Sequence, residues 1–262
     1  MSNRRLRLAI SPCPNDTFMF DAIVNKRIDL RGLEFDVEYH DIEELNNMAL
    51  AAKNDITKCS TALLPAIIEE YSLLDSGSAL GRGNGPLLVR RKGESAPIRR
   101  IAVPGEHTTA NALVMRLFPE IEERVPMLFS DIAEAVERGD YDAGVLIHEG
   151  RFVYQRRNLE LVADLGLEWE ARKSLPLPLG SIVARRSLGD QTIALVDRVL
   201  RESIAYAFAH REVSREFIKA HAQEMEDSVI DSHIALFVND FSLSLGDEGL
   251  RAVSELTGLS FE

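Results

Sequence analysis

The strongest constraint on the fold of this sequence is an alternation of strand-like and helix-like segments that occurs twice in the same order. The first occurrence has strand-like runs at residues 6–11, 33–39 and 56–60, with helix-like runs at 17–24 and from Asp41. The second has strand-like runs at residues 100–103, 125–129 and 143–147, with helix-like runs at 108–118 and from Asp131. Such alternation predicts an α/β fold in which each half is a mostly parallel sheet flanked by helices.

Two runs that bracket the second half have the same pattern, in which a glycine is followed by an apolar segment and an arginine pair. They lie at residues 85–91 and 180–186. We interpret them as two crossings between domains, so that 1–89 and 180–262 form a discontinuous larger domain and 90–179 an inserted smaller domain. Two crossings permit a hinge, which predicts a ligand cleft between the domains.

The last third of the chain is predicted to be helical. Apolar residues recur at three- and four-residue spacing in residues 191–210, 213–222, 232–239 and 247–256. We expect these helices to cover the first sheet, with a partner-binding surface as the alternative. Earlier in the chain, Asp41 with Glu44 and Asp131 with Glu134 fit the capping-box pattern that marks the start of a helix.

Charge and composition exclude several classes of function. The 262 residues carry a formal net charge of −12 and 45% hydrophobic residues. Nucleic acid binding needs a basic stripe, which this sequence lacks, so we expect no nucleic-acid partner. The negative charge also repels anions, so an anionic substrate must be held locally by helix amino termini and hydroxyl groups.

Location follows from what the sequence does not contain. No apolar run approaches the ~20 residues of a membrane span, and the first residues do not read as a secretory signal. We therefore expect a cytoplasmic protein with no membrane span. In a reducing compartment the two cysteines, Cys13 and Cys59, should be free thiols rather than a disulfide.

The turn after the first predicted strand is a candidate ligand-binding element. It has the sequence S-P-C-P-N-D at residues 11–16, where two prolines restrict the backbone and Asn15 or Asp16 can cap the following helix. In open α/β sheets, ligands bind beyond the carboxyl ends of the strands, where this turn lies. The alternative is an ordinary turn with no ligand.

His148 is the candidate catalytic residue, because it directly follows the predicted strand 143–147. Imidazole can exchange a proton near neutral pH, as a general base must. A loop histidine without a role is the alternative. Glu149 could orient the ring, although adjacent residues of an extended strand point to opposite faces. His148-Glu149-Gly150-Arg151 is not a zinc motif, since the second histidine is missing, and we expect no metal.

Two groups of residues after strands are candidate substrate-binding elements. Thr108, Thr109 and Ala110 begin a predicted helix whose first N–H groups could hold a carboxylate. The matching group in the first half is Lys58, Cys59 and Ser60, with Ser60 and Thr61 as a second cap. Ordinary helix capping explains the hydroxyl residues equally well. Asn46, Asn47 and His107 are weaker candidates, and we expect His40, His210, His221 and His233 to be surface or core residues.

Five segments carry a resemblance to a known family. They are S-P-C-P-N-D-T-F at 11–18, G-R-G-N-G-P-L-L-V at 81–89, A-V-P-G-E-H-T-T-A at 102–110, G-V-L-I-H-E-G-R at 144–151 and L-P-L-P-L-G-S-I at 175–182. Together they resemble the 1,4-dihydroxy-6-naphthoate synthases, lyases of the futalosine route to menaquinone. Asn84 departs from the family pattern, which more often has a small residue or cysteine there.

The resemblance implies a two-domain fold like that of type II periplasmic binding proteins, and a general-base role for His148. It implies conversion of cyclic dehypoxanthinyl futalosine to 1,4-dihydroxy-6-naphthoate and dihydroxyacetone, with no cofactor. The partner would then be a small-molecule carboxylate. Two alternatives stay open: a chorismate dehydratase-like enzyme of the same fold and pathway, and a non-catalytic carboxylate-binding protein.

Overall fold

The computed structural model describes residues 4–148, 150–222 and 226–261 of the chain. The chain divides into two compact units: unit 1 contains Met1–Gly81 and Pro178–Glu262, and unit 2 contains Arg82–Leu177. The sequence predicts the inserted segment at 90–179, so the first boundary differs by eight residues. The difference arises because residues 87–91 form a strand within the sheet of unit 2.

The strands, in chain order, are β1 (Arg4–Ile10), β2 (Leu33–Tyr39), β3 (Ile56–Ser60), β4 (Tyr71–Leu73), β5 (Ala79–Gly81), β6 (Leu87–Arg91), β7 (Arg100–Val103), β8 (Glu123–Pro126), β9 (Ala143–Leu146), β10 (Leu159–Asp164) and β11 (Leu177–Arg185). The α-helices are α1 (Pro14–Val24), α2 (Ile42–Leu50), α3 (Leu64–Ile67), α4 (Thr109–Leu117), α5 (Phe129–Arg138), α6 (Gly150–Val153), α7 (Leu165–Lys173), α8 (Asp190–Ala209), α9 (Arg215–His221), α10 (Asp227–Phe237), α11 (Asp240–Leu243) and α12 (Gly246–Thr257). The predicted β-α-β-α-β order is thus present in both halves.

The two sheets have the same internal order. In unit 1 the strands run β2-β1-β3-β11-β4, with β5 also paired to β11, and in unit 2 they run β8-β7-β9-β6-β10. The first three strands of each series are parallel, and the fourth pairs antiparallel with the third. Each sheet is therefore mixed rather than mostly parallel, because a strand that does not belong to the β-α-β-α-β unit, β11 in unit 1 and β6 in unit 2, adds to it in the antiparallel direction.

The duplicated glycine-apolar-arginine runs are these fourth strands. The first run forms β6, which pairs with β9 and β10 inside the sheet of unit 2. The second forms most of β11, which pairs with β3 and β4 in unit 1. Each run therefore lies inside one unit, and the chain passes from one unit to the other shortly before it, between Gly81 and Arg82 and between Leu177 and Pro178.

The carboxyl-terminal helices cover the first sheet, as predicted. Val199 and Ile204 of α8 and Ile230 of α10 lie in one buried cluster with Leu8 of β1 and Phe18 of α1. A helix that buries one apolar face in this way needs no further partner on that face. Unit 2 has its own smaller core, in which Val89, Ala102, Ile132, Val136 and Leu146 pack together.

One predicted helix start is confirmed and another is wrong. The Asp41 carboxylate accepts hydrogen bonds from the N–H groups of Glu43 and Glu44, and so caps α2. Asp131 does not cap α5, which begins two residues earlier at Phe129 with Leu128 at the capping position. Asp131 instead lies in the first turn, where a carboxylate favours the positive end of the helix dipole.

Candidate functional site

The turn between β1 and α1 is held together by the Asp16 carboxylate. Asp16 lies in the first turn of α1, and one of its oxygens accepts hydrogen bonds from the backbone N–H and the hydroxyl of Ser11, at 3.1 and 2.8 Å. The helix begins at Pro14, with Cys13 at the capping position and no side-chain cap. Neither Asn15 nor Asp16 is therefore the cap, because the proline starts the helix before them.

A buried ion pair joins this turn to β3. Lys58 Nζ lies 2.9 Å from the second oxygen of Asp16, and their side chains are 6% and 0% exposed. Asn15 donates a hydrogen bond to the same oxygen at 2.8 Å, and its own amide oxygen lies 3.0 Å from His233 Nε2. A buried ion pair is stable only when further hydrogen bonds satisfy both charges, as they do for this carboxylate.

We call Ser11, Asn15, Asp16, Lys58 and His233 the Asp16 cluster. Gly180 packs closely against this lysine, since a Cβ atom at Gly180 would lie 2.7 Å from Lys58 Cε. His233 of α10 belongs to the cluster, although no sequence pattern around it indicates a role. Its contact with Asn15 joins residues that are 218 positions apart in the sequence, and local sequence patterns do not indicate contacts at that separation.

Ser60, at the end of β3, is bonded to α2. Its backbone N–H donates to the amide oxygen of Asn46 at 2.8 Å, and the Asn46 amide nitrogen donates to its hydroxyl at 3.1 Å. Asn46 is fully buried, which explains an amide on this helix face. The predicted cap at Ser60 and Thr61 is wrong, because a three-residue 3-10 helix follows and Ser60 makes no side-chain cap bond.

Cys59, between Lys58 and Ser60, is an unreactive thiol. It is fully buried, and burial raises its pKa to about 12, with the Lys58 charge lowering it only in part. At neutral pH it stays protonated and cannot act as a nucleophile, since the thiolate is the reactive form. Cys13 and Cys59 are both buried thiols, and neither is in a disulfide.

In unit 2, Thr108 caps α4. Its hydroxyl oxygen accepts a hydrogen bond from the Asn111 N–H at 3.2 Å and donates to the Gly105 carbonyl at 3.0 Å. Thr109 and Ala110 follow in the first turn and are buried. The Asn111 amide nitrogen donates to the Glu106 carbonyl, whereas its buried amide oxygen has no hydrogen-bond partner among the described residues. The predicted threonine cap is confirmed.

His148 lies in a strained turn just beyond β9. Its φ of +50° is in the left-handed region, which costs about 1–3 kcal/mol for a residue other than glycine and persists only where the surroundings enforce it. The Gly150 N–H donates to the Ile147 carbonyl at 3.1 Å and closes the turn. The half-buried imidazole packs on Phe129, with ring centroids 5.1 Å apart. We call Ile147, His148 and Gly150 the His148 turn; Glu149 lies outside the described residues.

An arginine that the sequence did not single out follows this turn. Arg151 of α6 donates to the Gly85 carbonyl and lies 3.5 Å from a carboxylate oxygen of Asp164. Asp164 caps α7, because its other oxygen accepts from the N–H groups of Gly166 and Leu167. Gly85 and Gly166 touch through their backbones: a Cβ atom at Gly85 would lie 2.1 Å from the Gly166 nitrogen.

The candidate residues thus form one group in each unit. Asn15, Asp16, Lys58, Cys59 and Ser60 lie in unit 1, and Thr108, Thr109, Ala110 and His148 lie in unit 2. Among the described residues, no three His, Cys, Asp or Glu side chains are grouped so that they could hold a metal ion. The described helices include none that is both long and apolar enough to cross a membrane.

Comparison with known sequences gives consistent matches over nearly the whole chain. A family model described as menaquinone biosynthesis matches residues 6–262. A Thermus thermophilus protein named 1,4-dihydroxy-6-naphthoate synthase is 45% identical over 256 residues, which cover 96% of this chain and 92% of that protein. A Streptomyces coelicolor protein with the same name is 42% identical, with 98% and 93% covered.

Comparison with solved structures extends the likeness to the fold. A crystal structure of an Archaeoglobus fulgidus protein matches with a TM-score of 0.89 and 33% identity, covering 96% of this chain and 95% of that one. A Candida albicans protein described as having the generic periplasmic binding protein fold matches with a TM-score of 0.72 and 14% identity, covering 96% and 88%. The predicted fold class is confirmed.

Proposed function

Because this chain belongs to the menaquinone biosynthesis family, we propose that it is a 1,4-dihydroxy-6-naphthoate synthase. The observation that carries the proposal is the 45% identity, over 96% of this chain, to the Thermus thermophilus enzyme of that name. The proposed reaction is carbon–carbon cleavage of cyclic dehypoxanthinyl futalosine, which releases 1,4-dihydroxy-6-naphthoate and dihydroxyacetone. We propose that the enzyme acts in the cytoplasm and without a cofactor.

His148 is proposed as the general base. It stands beyond the carboxyl end of a parallel strand, where ligands of α/β sheets bind, and it is only half-buried. Its left-handed backbone supports a functional role, since strain of this kind is concentrated at active sites. Removal of a substrate proton by the imidazole would start the cleavage, and formation of the aromatic naphthalene ring would drive it. The protein would contribute position, proton transfer and exclusion of water.

The amino terminus of α4 is the proposed carboxylate site. The carboxylate would lie near Thr109 and Ala110, in the first turn of the helix, where the helix dipole favours an anion. The unit 1 residues would serve differently. Asp16 and Lys58 neutralise each other, so Asn15, Lys58 and Ser60 would offer a polar surface without net charge to the hydroxyl groups of the substrate.

Incubation of the purified protein with cyclic dehypoxanthinyl futalosine tests the proposal. The expected result is catalytic formation of the naphthoate chromophore, with dihydroxyacetone in equal amount, and no turnover of chorismate in a parallel assay. Conversion of chorismate alone would assign the protein to the dehydratase alternative. Tight binding of the cyclic compound without product would identify a binding protein instead.

A further inference from the structure

We propose that Arg151 is a positioning residue that fixes the backbone of the His148 turn, and with it the direction of the imidazole. The inference rests on the proposed role of His148 as the base. It deepens that role by identifying what holds the strained turn in place. The supporting geometry lies entirely within unit 2.

The Arg151 guanidinium is a buried anchor. Its side chain is 13% exposed, it donates to the Gly85 carbonyl, and it pairs with Asp164, whose side chain is 12% exposed. Burial lowers the pKa of Arg151, while the Asp164 charge opposes that shift. Removing a cation from water is costly, and the planar guanidinium offsets this cost by directing one N–H group at the Gly85 carbonyl and another towards the Asp164 carboxylate, a geometry that a lysine cannot reproduce.

The groups that Arg151 holds are themselves fixed. Asp164 is bound by the N–H groups of Gly166 and Leu167 at 2.9 and 3.1 Å. The Leu165 N–H donates to the Pro86 carbonyl at 2.9 Å, which ties the start of α7 to the segment before β6. Gly85 and Gly166 also pack backbone against backbone, with no space for a side chain on either residue. Arg151 therefore connects α6 to a rigid part of unit 2.

The connection matters because only two residues separate Arg151 from His148. A left-handed residue other than glycine relaxes to negative φ unless its neighbours prevent it. The Phe129 ring restrains the imidazole from one side, and the short Gly150 to Ile147 bond closes the turn. Arg151 holds the chain on the far side of the turn. Without Arg151, the imidazole would no longer be held in one orientation, although it could still accept a proton.

The kinetic test replaces Arg151 by lysine, which keeps the charge and removes the fork. Arg151→Lys should lower kcat about tenfold or more with little change in KM, because misplacement of a base affects the chemical step. Arg157→Lys is the matched control, since Arg157 pairs with Glu137 in the same unit but is 40% exposed. It should leave both constants unchanged. Asp164→Asn, which retains a capping side chain for α7, should resemble Arg151→Lys if the pair acts as one anchor.

A double variant shows whether Arg151 acts through His148. In a His148→Asn background, Arg151→Lys should cause no further loss of the residual turnover. An equal fractional loss in both backgrounds would overturn the proposal, as would an effect on KM alone. A general loss of stability cannot imitate the expected pattern, because it would lower activity in either background.

A second readout does not depend on activity. The chain has six histidines, and the NMR ring signals of His148 can be identified by their loss in His148→Asn. Arg151→Lys should move these signals and their titration midpoint, and Arg157→Lys should not. Unmoved signals would refute the positioning role even in an active enzyme. Moved signals in a protein that does not turn over the futalosine compound would retain the positioning role and refute the proposed function.

Discussion

The Asp16 cluster and the His148 turn both follow a parallel strand at its carboxyl end, but they are built in opposite ways. In the cluster, the charges are buried and each carboxylate oxygen of Asp16 has two hydrogen-bond donors. In the turn, the central residue is half exposed and its backbone is strained. Under the proposed function, the buried cluster should matter chiefly for stability, beside the polar surface that it would offer to the substrate, and the turn should matter for reactivity. Variants of the two regions should therefore affect different measurements.

The largest expected effect is on turnover. His148→Asn should lower kcat about 10²- to 10⁴-fold, the usual contribution of a general base, and leave the melting temperature nearly unchanged. Asparagine is the right substitution because it tolerates the left-handed backbone of this position. Steady-state kinetics and thermal unfolding measure both effects. Turnover within a few-fold of the wild type would show that His148 is not the base, and the proposed difference between the His148 turn and the Asp16 cluster would be wrong.

The next effect is on stability. Asp16→Asn leaves the Lys58 charge buried without its partner, and should lower the free energy of unfolding by about 3–5 kcal/mol. The double variant Asp16→Asn with Lys58→Met removes both charges and should recover part of this loss. Arg138→Ala, which breaks exposed pairs with Glu134 and Asp140, should change the free energy of unfolding far less, because water screens both pairs. Urea unfolding tests all three, and a single-variant loss no larger than that of Arg138→Ala would contradict the comparison.

A smaller effect should separate binding from capping within unit 2. Thr109→Val keeps the shape of the side chain and should weaken binding of the naphthoate product by about 1.5–3 kcal/mol if the hydroxyl contacts the carboxylate. Thr108→Ala removes the cap of α4 and should instead lower stability by about 0.5–2 kcal/mol. Calorimetric titration and urea unfolding of both variants give the comparison. The idea fails if Thr109→Val loses stability but keeps its affinity.

The smallest effect tests whether the Cys59 thiol, next to Lys58 in β3, is shielded from water. The thiol of Cys59 has a pKa of about 12 in the fold, against an ordinary value of 9.0. The unfolded chain therefore releases this proton first, so the stabilisation is complete below pH 9 and is lost as pH rises from 9 towards 12. Relative to Cys59→Ala, the wild type should lose about 1.4 kcal/mol of unfolding free energy between pH 7 and pH 10. Parallel unfolding curves for the two proteins over that range would show that the thiol is accessible to water.

The predictable features were those that depend on neighbouring residues. The alternation of strands and helices, the Asp41 cap and the Thr108 cap all follow from local periodicity and local hydrogen bonds. The Asp16 to Lys58 pair spans 42 residues, so no local pattern could show the partner of either charge. The same holds for β6 and β11: both are visible as apolar runs, but their place in a sheet depends on distant strands.

Arg151 shows a different limit of prediction. It lies three residues after His148 in the sequence, yet a single arginine after a glycine carries no local signal of burial. Its partner Asp164 becomes recognisable only when β10 pairs with β6 and brings the start of α7 beside Gly85. The proposed base could be located by its position at the end of a strand, whereas the residues proposed to support it depended on the assembled sheet.

The contact between Gly85 and Gly166 has a consequence for how this sequence can vary. Because each backbone occupies the space of the other's side chain, replacing either glycine with alanine would force the two segments apart, and replacing both would not restore the fit. No compensating exchange is open to the pair, so the two positions should be invariant together rather than covary. Deep mutational scanning should find both glycines intolerant of every substitution. Two intolerant positions, 81 residues apart in the sequence, would thus have one common cause, the contact between their backbones.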